Sequence, residues 1–180
     1  MNSEIFTIGH SNRSIESFLA QISNSAIGAI VDVRSYPKSS RHPHFDKENL
    51  RTRLGVHEID YHWFGRAMGG MRKSPVGKRH SALANPSFKA YAAHMESTEF
   101  GAEIDALEKL AHNTRVCLMC AEANVVHCHR QFIADFLVVR GWSVKHIQHE
   151  NDTFSHRLSP NLNVESSQLV YNKNSQQELF

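Results

Sequence analysis

A chain of 180 residues with 41% hydrophobic content suffices for one domain with an ordinary core. Three cysteines are too few for a disulfide framework, which points to a reducing compartment, and no apolar run reaches the roughly eighteen residues that a membrane-crossing helix needs. The formal net charge is only +2, but residues 34–80 carry eleven Lys or Arg against four Asp or Glu, an asymmetry expected of a side facing an anionic partner or of a solvated basic face.

The opening stretch MNSEIFTIGH has no basic region followed by a long apolar segment, so no secretory signal is expected and the chain reads as cytoplasmic. Ile5 to Ile8 is a short apolar run that predicts a buried strand ending at Gly9-His10-Ser11-Asn12. Ser14 then suits a helix N-cap, with Phe18, Leu19 and Ile22 at helical spacing behind it. Ala29 to Val33 predicts a second strand, which stops before Pro37. The basic stretch that follows has weak periodicity. Asp46 to Leu54 reads as a short helix, and Gly69 to Pro75 as a mobile loop.

Asn85-Pro86 opens a helix whose apolar face is Phe88, Tyr91, Ala92 and Met95. A second helical pattern carries Ile104, Leu107, Leu110 and Ala111. Arg115 to Met119 predicts a third strand with Cys120 at its carboxyl end. Arg130 to Val139 predicts a helix closed by Gly141, and Ser143 to Ile147 a fourth strand. Near-continuously apolar strands alternating with helices indicate an α/β fold: one three-layer domain over residues 1–150. Its sheet is expected to be mainly parallel and Rossmann-like, of about four strands flanked by helices. A basic insert occupies about residues 35–85, and residues 151–180 form a polar tail in which Gln168 to Tyr171 could add an edge strand.

Parallel sheets bind ligands beyond the carboxyl ends of their strands. Three polar clusters follow apolar strands there: His10 to Arg13, Asp32 with Arg34, and Cys120 with Glu122. Helices begin after the first and third, so free amides face the same crevice. Each residue also has a plainer role. His10 could cap a helix. Asp32, costly in an apolar strand unless paired, could accept from Arg34 or from nearby amides. Cys120 could be a small buried hydrophobe. Arg34 at a strand end suits a carboxylate or phosphate, and Glu122 beside a thiol could move protons. Cys128, at a helix start beside His129 and Arg130, should have a lowered pKa or else simply pack inward.

Familiar motifs fit poorly. Neither Cys120 nor Cys128 has the spacing to Arg130 that a cysteine phosphatase loop requires. Cys120-Ala121-Glu122 occurs in zinc deaminases, but the Pro-Cys-x-x-Cys pair is missing downstream. Gly70 to Lys78 is too long a gap for a P-loop, with Arg79 in place of Ser or Thr.

Taken together the clusters resemble the DUF488 family, a domain family of unknown function. The similarity runs through Thr7-Ile8-Gly9-His10-Ser11, Val31-Asp32-Val33-Arg34 with Pro37, Phe45, Leu50, Leu54, Tyr61 and Gly69-Gly70. It continues through Phe88, Tyr91, Met95, Cys120-Ala121-Glu122, Cys128-His129-Arg130 and His146-Ile147. It spans residues 5 to about 149, implies a cytosolic α/β domain and supplies no reaction.

Three function readings therefore stand as expectations. The first is an enzyme or sensor for a small anionic, phosphate- or nucleotide-like ligand. Cys120, Glu122 and His10 would be catalytic, and Ser11, Arg34, Cys128, His129 and Arg130 would bind the ligand; a thiol-dependent hydrolase or transferase is the matching class. The second is a nucleic-acid-binding module that uses Tyr36, Phe45, Tyr61, Trp63 and Phe64 among the basic residues. The third is a zinc or iron site built from Cys and His. The residues name no cofactor, no membrane partner and no oligomeric state.

Overall fold

A computed structural model describes residues 4–73, 78–149 and 152–173. The Pro75 end of the expected Gly69-to-Pro75 loop lies outside the described residues. The sheet is mixed and mostly parallel, with helices on both faces. Its strands are β1 (Glu4–Gly9), β2 (Ala29–Asp32), β3 (Asp60–Trp63), β4 (Val116–Cys120), β5 (Ser143–His149) and β6 (Asp152–Ser155), in the order β3-β2-β4-β1-β5-β6. The first five are parallel, and β6 runs antiparallel beside β5. Six strands thus stand where about four were legible. The additions are edges with polar patterns, Asp-Tyr-His-Trp and Asp-Thr-Phe-Ser, which lack the apolar run of a central strand.

Side-chain alternation along the strands divides the core in two. On one face Phe6, Ile8, Ile30 and Met119 pack against α1 (Ile15–Asn24) and α2 (Lys47–Val56) through Phe18, Ile22, Leu50 and Leu54. On the other face Ile5, Val31, Leu118 and Val144 meet α5 (Thr98–Asn113) and α6 (Arg130–Val139) through Phe100, Ile104, Leu107, Phe132 and Leu137. Two shorter helices, α3 (Gly65–Met68) and α4 (Pro86–His94), complete this second layer. Helix starts follow the caps: the Ser14 side chain accepts from Ser17 N, Asn85 from Ser87 N and Ser97 from Phe100 N. Helix α6 ends where Gly141 adopts φ +93°, a conformation natural to glycine.

Residues 152–173 are also built into the fold. Gln168–Tyr171 is a strand, but it joins Leu162–Glu165 in a separate antiparallel hairpin (β8 and β7) and not the main sheet. Tyr171 is buried in the α5–α6 layer. Among the described residues no helix is long and apolar enough to cross a membrane.

The functional consequence lies in the crossovers. Helix α1 leaves β1 on one face, whereas α6 leaves the adjacent strand β4 on the other. This change of face puts the carboxyl edge around β4 at the place where open parallel sheets seat ligands.

Candidate active site at the carboxyl edge of the sheet

The loops after β1 and β4 are bound edge to edge. His10 N donates to Cys120 O at 2.8 Å and Ser11 N to Ala121 O at 2.9 Å. Gly9 permits this approach, because a Cβ there would lie 1.9 Å from the Glu122 carbonyl oxygen.

Asp32 ends β2 in full burial and accepts four hydrogen bonds. Its Oδ1 takes Arg34 N (3.0 Å) and Nε (2.9 Å); its Oδ2 takes Arg34 Nη2 (2.6 Å) and Tyr61 OH (2.6 Å). The two-pronged edge of Arg34 is therefore occupied by Asp32, which leaves less of it for a ligand than a free strand-end arginine would offer. Arg34 Nη2 also donates to Phe45 O at 2.8 Å, and Nη1 lies 3.2 Å from His10 Nε2.

A guanidinium only donates, so His10 Nε2 accepts, and its Nδ1–H must point to Ser11 O at 3.0 Å. Burial first, and then the Arg34 charge, push the His10 pKa down to about 4. His10 is thus a neutral imidazole of fixed tautomer, stacked 4.2 Å from the Phe45 ring. Burial, reinforced by the Asp32 charge, raises the Tyr61 hydroxyl pKa far above its ordinary value, so Tyr61 remains a donor.

The second cluster comes from β4 and the start of α6. Cys120 is 8% and Cys128 3% exposed, and both face one cleft. Between them stands His129, whose Nε2 lies 3.1 Å from Val33 O. A carbonyl only accepts, so Nε2 carries the proton and Nδ1 is turned to the sulfurs, 3.7 Å from Cys128 and 4.0 Å from Cys120. Gly70 makes room for the ring; a Cβ there would sit 2.5 Å from His129 Nδ1.

Arg130, buried beneath, donates from Nε to Cys128 Sγ at 3.3 Å, from Nη1 to Thr7 Oγ1 at 3.1 Å and from Nη2 to Glu122 O. A hydrogen bond from Cys120, together with the nearby Arg130 charge, holds the Cys128 thiol well below its ordinary pKa against the opposing effect of burial. Cys120 moves well upward for the complementary reason, as donor in that pair and as a buried group. The two thiols are thus pushed apart, Cys128 toward the thiolate and Cys120 toward the thiol. Cys117, on the opposite face of β4, is raised by burial.

His10, Arg34, Cys120, Glu122, Cys128 and His129 line one cleft of about 510 Å³, whose rim includes Lys38, Ser87 and Phe88. Ser11 lines a neighbouring cavity instead, its backbone in the left-handed region at φ 47°. Glu122 is exposed, and its Oε1 accepts from Asn124 N at 3.1 Å. Among the aromatics of the basic segment, Phe45 is buried, Tyr61 and Trp63 are tied by hydrogen bonds to Asp32 and to Arg34 O, and Tyr36 is 72% exposed.

The sulfurs of Cys120 and Cys128 and Nδ1 of His129 lie within 4.8 Å of one another, close enough among the described residues to share a soft ion. The guanidinium in contact with the Cys128 sulfur opposes a second cation there and favours a lone thiolate.

Comparison with protein families gives a match to the family described as "Domain of unknown function DUF488", over residues 14–137 and so over more than half of the chain. Comparison with curated proteins and with solved structures gives no match.

Proposed function

Since the chain belongs to the DUF488 family, we propose its chemistry from its own residues: it is a thiol-dependent enzyme in which Cys128 is the nucleophile toward a small anionic ligand in the cleft. One observation carries this reading. The Cys128 sulfur sits between the Arg130 Nε–H at 3.3 Å and the bare His129 Nδ1 at 3.7 Å, on the floor of an open cleft. A nucleophile beside a base that is itself oriented by a third group, here the Val33 carbonyl, is the recurring arrangement of covalent catalysis.

In the first step the Cys128 lone pair forms a bond to the electrophilic centre. The leaving group departs with its bonding pair and takes the proton held by Cys120. In the second step water or an acceptor attacks, gives its proton to His129 Nδ1 and releases Cys128 as thiolate; that proton then passes back to Cys120. An anionic ligand is favoured because Lys38 faces the cleft and because the first turn of α4, which begins at Pro86, reaches its rim through Ser87; Arg34, its charge met by Asp32, is part of the wall. Glu122 and His10 are then cleft-wall groups around the ligand, and Cys120 is the partner thiol.

The test is alkylation of the full chain by iodoacetamide, followed peptide by peptide by mass spectrometry across a pH series. The expected result is Cys128 labelling that is already fast at about pH 6, with Cys120 and Cys117 spared until the chain is denatured, and slowed by millimolar inorganic phosphate. Labelling that rises only through the ordinary thiol value of about 8.5 would overturn the proposal.

A further inference from the structure

Arg130 is the inner end of a buried chain of hydrogen bonds that continues away from the cleft. Thr7 Oγ1, which accepts from Arg130 Nη1, lies 2.8 Å from His146 Nδ1 on β5. His146 Nε2 lies 2.9 Å from His156 Nδ1, and His156 Nε2 lies 2.9 Å from Asp135 Oδ1 on α6. Asp135 is fully buried and further held by Ser159 N (3.0 Å), Ser159 Oγ (2.7 Å) and Tyr171 OH (3.0 Å). Five links thus join a carboxylate behind the sheet to the sulfur in the cleft.

The proton positions follow from the two ends. A carboxylate accepts, so His156 carries its proton on Nε2, and its neutral Nδ1 must accept from His146 Nε2–H. His146 Nδ1 is then an acceptor, which takes the Thr7 hydroxyl proton and leaves a Thr7 lone pair for Arg130, a group that only donates. Every donor points the same way, from Arg130 toward Asp135. A proton added to either imidazole would break this order and place a second positive charge beside Arg130. Burial and the neighbouring His156 and Arg130 lower the His146 pKa to about 3, in keeping with a neutral ring.

We propose that Asp135, His156 and His146 are positioning residues for the site: through Thr7 they fix the Arg130 guanidinium against the Cys128 sulfur, which makes the segment after β5 part of the active-site machinery. This deepens, and rests on, the reading of Cys128 as the reactive thiolate. Thr7, His146 and His156 all lie outside residues 14–137, so the family match does not reach this half of the device. Its outer end borders another cavity, of about 790 Å³, lined by His146, His156 and Ser159. The ionisable groups around Cys128 are Cys120 from β4, His129 and Arg130 from α6 and Tyr91 from α4. Those around the two imidazoles are Asp135, Arg130, Cys128 and, beyond Asp135, Tyr171.

The experiment compares the full chain with His156→Phe, which breaks the relay, and His156→Gln, whose amide can still donate to Asp135 and accept from His146. Both are checked for cooperative thermal unfolding. The expected result is that His156→Phe moves the pH midpoint of Cys128 alkylation up by about one unit, or about tenfold in rate at about pH 6. His156→Gln should keep the wild-type profile. Folded His156→Phe protein with an unchanged profile overturns the proposal, as does a His156→Gln profile that matches His156→Phe. Should His156→Phe not fold, Thr7→Val cuts the same chain with little change of volume. The wild-type protein gives an independent reading by nitrogen-15 NMR: both rings must be neutral with the proton on Nε2, and an Nδ1–H tautomer at either ring overturns the proposal. If wild-type Cys128 shows no early alkylation while the tautomers are as stated, the thiolate reading has failed and the relay geometry has not.

Discussion

Asp32→Asn is the sharpest structural perturbation of the site. It leaves the hydrogen-bonding shape nearly intact but removes the carboxylate paired with Arg34, whose side chain is 5% exposed. With both groups out of solvent, screening does little. Leaving one charge of a buried pair uncompensated costs about 3–5 kcal/mol. For a domain of this size each kcal/mol shifts Tm by roughly 2–4 °C, so the fall should be roughly 6–20 °C. Tyr61→Phe removes one neutral donor of the four and should cost about 1–2 kcal/mol. Asp32→Leu combined with Arg34→Met, which removes both charges, should recover most of the loss, since well-packed apolar replacements of buried ion pairs are often neutral or better. The assay is chemical and thermal denaturation of the four proteins side by side. An Asp32→Asn Tm within about 2 °C of wild type, or a double variant no more stable than the single one, would refute the claim that Asp32 compensates Arg34.

Three further outcomes are expected. Gly70→Ala should push the His129 ring off its place, because the new Cβ would lie 2.5 Å from Nδ1, and should slow Cys128 alkylation at neutral pH about tenfold with little change in global unfolding; an unchanged rate contradicts the placement. Acid should destabilise the protein. His10 and His146 are lowered from 6.5 to about 4 and about 3, so between 6.5 and those values the unfolded chain binds protons that the folded chain refuses. Stability is therefore lost as pH falls through that window, by roughly 3–5 kcal/mol for each ring, and a Tm that stays flat from pH 6.5 down to about 4 contradicts this. Elemental analysis of untagged protein should find zinc and iron far below one ion per chain, with Cys128 still open to alkylation. A stoichiometric metal that blocks alkylation would replace the thiolate account with the metal-dependent one.

Much of the fold could be read from periodicity because its central strands are apolar on both faces. Ile5 to Ile8, Ala29 to Val33 and Val116 to Met119 have no other stable place than a doubly covered sheet. Helix α6 runs over the predicted Arg130–Val139, since its apolar stripe and Gly141 mark both ends. The edges were not legible: Asp60–Trp63 and Asp152–Ser155 owe their strand form to a neighbour's free ladder and not to their own pattern. At the site, topology alone predicts that the turns after β1, β2 and β4 meet, but the assignment of partners needs coordinates. Whether Arg34 serves a ligand or Asp32 is decided by a contact two residues away that the string of letters leaves open. Asp135 gave one unread signal, a carboxylate within the apolar stripe of α6 that must have buried partners. Those partners, His156, Ser159 and Tyr171, come from a stretch whose composition reads as a polar tail.

The central claim is that one sulfur in the folded chain is charged at neutral pH and that this sulfur belongs to Cys128. Ultraviolet thiolate absorbance of the wild-type chain, Cys120→Ser and Cys128→Ser, titrated through about pH 7, tests it most directly. The account predicts about one thiolate per chain in the wild type and in Cys120→Ser, whose hydroxyl can replace the donating thiol, and none in Cys128→Ser. Absence of the signal in the wild type, or its survival in Cys128→Ser, would contradict the account.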